Sequence, residues 1–202
     1  EGIQWLPWKV RWICNSRVDT VDLEMLQAMK AAGCWMICYG VESGDDLVLK
    51  MNKKEATVAQ ARQAVWWAKE AGLKVWTYMM LGMLGDTKQT MEKTINLACK
   101  LDGDICNFAI SAPYPGTEFG KIVEENGWLK NSNWDAYDQN YSAQVSQPGC
   151  SMEDVIAFQK KAYLKWYCSW RGIRFMLNAW KPRYTRFLLS VIGTHLRGQY
   201  AF

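Results

Sequence analysis

The sequence predicts an α/β fold built on parallel strands, and three observations carry the prediction. Runs rich in apolar and aromatic residues recur at Trp12-Asn15, Trp35-Gly40, Lys74-Leu81 and Ile105-Ser111. Segments with helical spacing lie between them, so the order reads β-α-β-α-β-α-β. The strands are apolar throughout rather than alternating, as expected of parallel strands covered on both faces and joined by helical crossovers. The body is therefore a sheet or part of a barrel.

The first helix runs from about Asp22 to Ala32 and stops at Gly33. Thr57-x-x-Gln60 reads as a capping box opening Val58 to Ala71, with Val58, Ala61, Val65 and Ala68 on one face and Gly72 as the stop. Asp86-x-x-Gln89 opens the next helix, whose apolar face is Met91, Ile95 and Ala98. After Ser111 come a turn, Pro113-Tyr114-Pro115-Gly116-Thr117, and a polar stretch to about Gly149. Helical spacing returns from Ser151, with Val155, Phe158, Ala162 and Trp166 on one face. Three regions follow: 1–120, the α/β body; 121–150, a polar connecting segment; and 151–202, a basic, aromatic helical region.

At 202 residues, half of them apolar, the chain can bury a sizeable core. His195 is its one histidine, which disfavours His-based metal sites and Ser-His-Asp hydrolysis. The seven cysteines lack the spacing of a disulfide scaffold, and no signal peptide or long apolar span is visible, so a reduced, cytoplasmic setting is expected. The opening at Glu1, without a cap or turn signal, leads us to expect a longer polypeptide whose amino-terminal part is this chain's first partner.

Cys34 and Cys38 look at first like part of an iron-sulfur motif. Both fall in an extended run, however, where ~3.3 Å per residue sets their α-carbons ~13 Å apart, too far to share a cluster easily. Small buried residues in a strand are the better reading, and Cys14, Cys99, Cys106, Cys150 and Cys168 have no partner spacing.

In parallel α/β folds, ligands bind where loops and helix amino termini converge at the carboxyl ends of the strands. Three loops qualify: Gly40-Val41-Glu42-Ser43-Gly44, Leu81-Gly82-Met83-Leu84-Gly85-Asp86-Thr87, and Ala112-Pro113-Tyr114-Pro115-Gly116-Thr117. Each alone is an ordinary loop. In order, within "RWICNSRVDTVDLEMLQAMKAAGCWMICYGVESGDDLVLKMNK", "VWTYMMLGMLGDTKQTMEKTI" and "FAISAPYPGTEF", they resemble the radical S-adenosylmethionine (SAM) superfamily, specifically its cobalamin-dependent branch. The resemblance covers about residues 10 to 120 closely.

The resemblance implies a partial TIM-type barrel of six strands, of which this chain supplies strands three to six, followed by a helical region. It implies SAM as cofactor, a 4Fe-4S cluster held by a Cys-x3-Cys-x2-Cys loop outside this chain, and cobalamin held by a further domain outside it. The family's second loop usually reads Gly-Leu-Pro-Gly-Glu-Thr; here Leu84 replaces the proline and Asp86 the glutamate.

By the same resemblance Glu42 and Ser43 face SAM, supplying an ionised acceptor and a hydroxyl. Their bland alternatives are a solvated loop carboxylate and a helix cap. Asn15 and Arg17 reach towards the SAM carboxylate or a neighbouring acid, and Lys53 is the basic residue near SAM; plain ion pairing and solvent exposure compete for both cations. Gly82 lets its strand approach the cofactor, and Pro113 with Tyr114 walls the adenine or the substrate channel, unless these serve turn packing alone. His195 has no assigned role.

The implied chemistry is reduction of SAM to a 5′-deoxyadenosyl radical, hydrogen abstraction from an unactivated carbon, then methylation or oxidative rearrangement of a small-molecule or lipid-like substrate. A methylthiotransferase-like or oxidative-cyclase-like enzyme without methyl transfer is the rival within the family. A non-catalytic scaffold or surface-binding module is the rival outside it. Residues 155–202 carry nine Lys or Arg and no acid, so with a net charge of +4 the rest is at −5. We expect this tail to form helices against the body, with basic aromatic surface left for a membrane; tryptophans set among Leu, Ile and Phe argue against nucleic acid.

Overall fold

The computed structural model describes residues 2, 6, 8–130, 133, 137–140 and 142–178; His195 and the last four cations of the tail lie outside them. Four parallel strands, β1 (Trp12–Ser16), β2 (Cys34–Glu42), β3 (Lys74–Leu81) and β4 (Ile105–Ile110), pair in sequence order. Between them run α1 (Leu23–Ala31), α2 (Asp46–Met51) with α3 (Val58–Glu70), and α4 (Lys88–Lys100). After β4 come α5 (Glu118–Glu125), α6 (Met152–Tyr167) and α7 (Trp170–Asn178). The α/β fold class follows.

One sheet face is dry. Ile37, Tyr39 and Val41 of β2, Val75, Met79 and Leu81 of β3, and Phe108 and Ile110 of β4 share one buried cluster with Leu26, Ala61, Val65, Met91, Ile95, Val155 and Trp166. Fully burying each large apolar side chain is worth about 1.5–3 kcal/mol, so this layer dominates stability. The opposite face follows the pairing register: Asn15, Cys38, Trp76 and Ile105 form one row, with Gly40, Tyr78 and Asn107 in the next. Most of that face is half-exposed, and Trp76 stacks on Tyr78 at 5.3 Å.

The helix boundaries follow local chemistry. Thr57 and Gln60 form the expected capping box. The expected Asp86 opening of α4 is corrected: Thr87 is the cap, paired with Thr90, because the Asp86 carboxylate turns inward to bind Met83 N and Thr90 Oγ1. The face expected of α6 shifts as well. Phe158 is only half-buried, while Gln159 is buried and donates to the carbonyls of Phe108 and Asn140 at 2.7 and 2.9 Å. The Tyr163 hydroxyl accepts from Phe108 N at 3.3 Å, and Gln139 O accepts from Ile110 N at 2.6 Å. The outer edge of β4 is thereby satisfied without another strand, which removes an open pairing edge. Helix α5 crosses the boundary expected at residue 120, and residues 143, 145 and 150 of the expected connecting segment are buried.

Candidate cofactor site at the carboxyl ends of the strands

Strand β2 ends irregularly. Its register with β3 shifts between Gly40 and Glu42, and Glu42 has φ 68°, a left-handed conformation that a side-chain-bearing residue adopts at a cost of about 1–2 kcal/mol. Strain of this kind marks sites where the surroundings impose a geometry. The consequence is visible at Gly40, where an added Cβ would meet Glu42 Oε1 at 2.5 Å and Lys54 Nζ at 3.2 Å. The carboxylate therefore lies over Gly40, and Lys54 Nζ donates to it at 3.3 Å.

Sequence reasoning named Lys53 and missed Lys54. Helix α2 ends in a Schellman motif: Lys53 N donates to Lys50 O, Lys54 N donates to Leu49 O, and Lys53 takes the left-handed position with φ 55°. Lys53 then points outward to Glu118 Oε2 at 2.5 Å, the second residue after Gly116, and links this loop to the Pro-Tyr-Pro-Gly turn. Two adjacent lysines thus serve two different loops.

The Ser43 hydroxyl is buried, 3.3 Å from Thr94 Oγ1, and accepts from Asp45 N at 3.2 Å. Asp45 caps α2, and Lys93, bonded to its carboxylate at 2.7 Å, holds its carboxyl below the ordinary value. The Ser43 side chain is engaged in loop architecture. Asn15 is exposed on the half-exposed sheet face, in register with Cys38. Arg17 is exposed and grips Asp19 through two hydrogen bonds of 2.9 and 2.6 Å, which lower the Asp19 carboxyl.

Gly82 has φ 75°, and the atom nearest to an added Cβ belongs to Val155 of α6, at 3.1 Å; the close approach seen here is to a helix. The loop after it is fully knitted. Gln147 accepts from Gly85 N and donates to Met83 O, while Asn52 donates to Leu84 O and accepts from Leu84 N. That last bond uses an amide hydrogen that proline lacks, so Asn52 supplies by hydrogen bonding the rigidity a proline would supply by its ring. Asp86 is almost fully buried, and desolvation raises its pKa to about 6 despite the hydrogen bonds from Thr90 and Met83 N. Pro113 is buried, and Tyr114 is exposed with its ring 5.9 Å from that of Tyr137.

Glu42, Lys54, Gly40, Arg17 and Asp19 therefore gather at the ends of β1 and β2, with Lys53, Glu118 and Tyr114 on the β4 side. A separate hollow of about 220 Å³, lined by Trp35, Lys74, Asp102, Asp104, Arg171 and Arg174 among others, lies at the opposite ends of the strands.

These residues suit SAM in kind. Glu42 offers an ionised acceptor to an ammonium or to ribose hydroxyls. A 4Fe-4S cluster does not fit. Among the described residues no group of three His, Cys, Asp or Glu gathers to hold a metal. Cys34 and Cys38 are buried, and burial raises the thiols of Cys14, Cys150 and Cys106 to about 11, 11 and 12, away from the thiolate a cluster needs.

Residues 6–98 match the family model of the Radical SAM superfamily. The chain is 32% identical over 158 residues to the uncharacterized methyltransferase PH0819 of Pyrococcus horikoshii, covering 78% of this chain and 34% of the relative. It is 28% identical over 180 residues to the anaerobic magnesium-protoporphyrin IX monomethyl ester cyclase of Cereibacter sphaeroides, covering 84% and 29%. The chain thus spans about a third of the length of these curated relatives. In fold it is similar to the radical SAM methyltransferase TsrM of Kitasatospora setae, solved with cobalamin and a 4Fe-4S cluster. The TM-score is 0.51 at 20% identity, over 61% of this chain and 25% of that one.

Proposed function

We propose that these residues form the SAM-binding part of a radical enzyme whose cluster ligands lie outside the 202 residues. The observation that carries this reading is the strained Glu42, whose carboxylate is aimed over Gly40 at the mouth of the sheet. An uncharged, unstrained residue would serve an ordinary turn better. In this reading Glu42 accepts from the cofactor's ammonium or ribose, Lys54 holds the carboxylate in place, and Arg17 with Asn15 offers donors to the cofactor carboxylate. Tyr114 with Pro113 closes the β4 side and excludes water from the reacting carbon. Lys53, through Glu118, fixes that side relative to Glu42, while Ser43 and Gly82 shape the loops that carry the site.

When bound in such enzymes, SAM supplies a carbon radical that removes hydrogen from an unactivated position. Similarity to proteins named as a methyltransferase and a cyclase favours methylation or oxidative ring closure of a small-molecule or lipid-like substrate, with cobalamin for the first outcome. The test is anaerobic incubation of the parent polypeptide with SAM and a strong reductant. Formation of 5′-deoxyadenosine, or methyl transfer to cobalamin, supports the reading; turnover of neither favours a non-catalytic scaffold.

A further inference from the structure

Helix α7 presents two unlike faces. Phe175 packs inward, its ring 6.2 Å from that of Trp166 and 6.5 Å from that of Tyr167 on α6, and Arg171 bonds Cys99 O at 2.5 Å. At 100° per residue, Ile173, Leu177, Trp170 and Arg174 fall together on the other side. All four are exposed there, Trp170 by 74% and Leu177 by 61%. The preceding helix exposes one large apolar side chain, Leu164, which lies among Lys160, Lys161, Lys165 and Glu92.

Charge says what kind of surface this suits. Residues 155–178 contain no acid. Lys161 and Lys165 pair with Glu92, and Arg171 with Asp102, so part of the positive charge is spent on α4 and its following turn. No ion pair among the described residues takes Lys160 or Arg174. A tryptophan and two aliphatic side chains beside one unpaired cation, Arg174, on a helix without acids, are the parts of an interfacial helix lying in a lipid headgroup layer. No described helix is long and apolar enough to cross a membrane, so contact at the surface is the mode that fits.

We propose that α7 docks the protein on an anionic lipid surface, Trp170 and Leu177 entering the headgroup region and Arg174 pairing with a lipid phosphate. Each cation close to such a surface raises partition about fivefold. The inference is independent of the SAM reading.

The test is flotation of the 202-residue chain with phosphatidylcholine vesicles, with and without 30 mole per cent phosphatidylserine. The chain should float with the anionic vesicles and stay behind with the neutral ones. Trp170→Glu with Leu177→Glu, both at exposed positions, should lower flotation at least tenfold with an unchanged urea midpoint. Trp66→Glu, at an exposed tryptophan on α3, should leave it unchanged. A chain that stays behind with anionic vesicles, or an equal loss from Trp66→Glu, overturns the proposal. Equal flotation of the double variant also does.

Discussion

Lys54 Nζ lies 3.3 Å from Glu42 Oε1, with the two side chains only 17% and 20% exposed. The pair sits where Glu42 adopts φ 68°, so a backbone penalty and a held charge coincide in one residue. Glycine carries no such penalty, and replacing Glu42 by either glycine or alanine removes the ion pair equally. Glu42→Gly should therefore be more stable than Glu42→Ala by about 1 kcal/mol in urea denaturation. Equal stability would show that the site is unstrained.

Gly40 and Gly44 flank the same residue but are glycines for different reasons. A Cβ at Gly40 meets the ends of two flexible side chains, whereas at Gly44 it meets Lys93 O and C at 2.5 and 2.6 Å and Thr94 Cα at 2.7 Å. Gly44→Ala should thus cost about 2 kcal/mol or more, because α4 must move. Gly40→Ala should cost well under half of that while displacing the Glu42 carboxylate. Comparing denaturation midpoints checks the order, and the reverse order would contradict it.

Asp86 gives a pH signature. Its pKa of about 6 lies above the 3.8 of an unperturbed aspartate, so the folded chain holds this proton more tightly than the unfolded chain. The resulting stabilisation is complete below about pH 4 and is lost as pH rises through 6. Between pH 5 and 7 the loss is ~1 kcal/mol. One histidine in the sequence leaves few other groups to titrate in that window. Urea midpoints should fall from pH 5 to pH 7 in the native protein and stay level in Asp86→Asn; a native midpoint that rises would contradict the assignment.

The strands and longer helices were legible because their apolar spacing is long enough to read. Helices α2 and α5 were not, since six and eight residues behind Asp45 and Thr117 give too short a period. Glu42 was legible as a charge in a glycine-flanked turn, but its strain was not. Nor was the division of labour between Lys53 and Lys54, which a single left-handed residue at the end of α2 decides. Gln159 was passed over in favour of Phe158 because its burial depends on two carbonyls distant in sequence, Phe108 O of β4 and Asn140 O. Such tertiary partners leave no local pattern.

The cysteines offer a separate check. Cys34, Cys38, Cys106 and Cys150 are buried, and Cys168 is exposed. A thiol reagent should label Cys168 first in the native chain, and Cys168→Ala should remove the fast phase. Anaerobic reconstitution with iron and sulfide should leave the isolated chain without a stoichiometric cluster, and Cys34→Ala with Cys38→Ala should not alter the iron count. Fast labelling of Cys34 or Cys38, or iron lost with them, would reverse the reading of these residues as strand core.

The central claim, that Glu42 holds SAM, is tested most directly by equilibrium binding of SAM, under anaerobic conditions, to the longer polypeptide proposed above and to its Glu42→Gln variant. The substitution removes a charge without changing volume, and a charge-assisted hydrogen bond is worth about 1.5–3 kcal/mol. Affinity should fall at least tenfold with the folding transition intact. An unchanged affinity would remove Glu42 from the cofactor site.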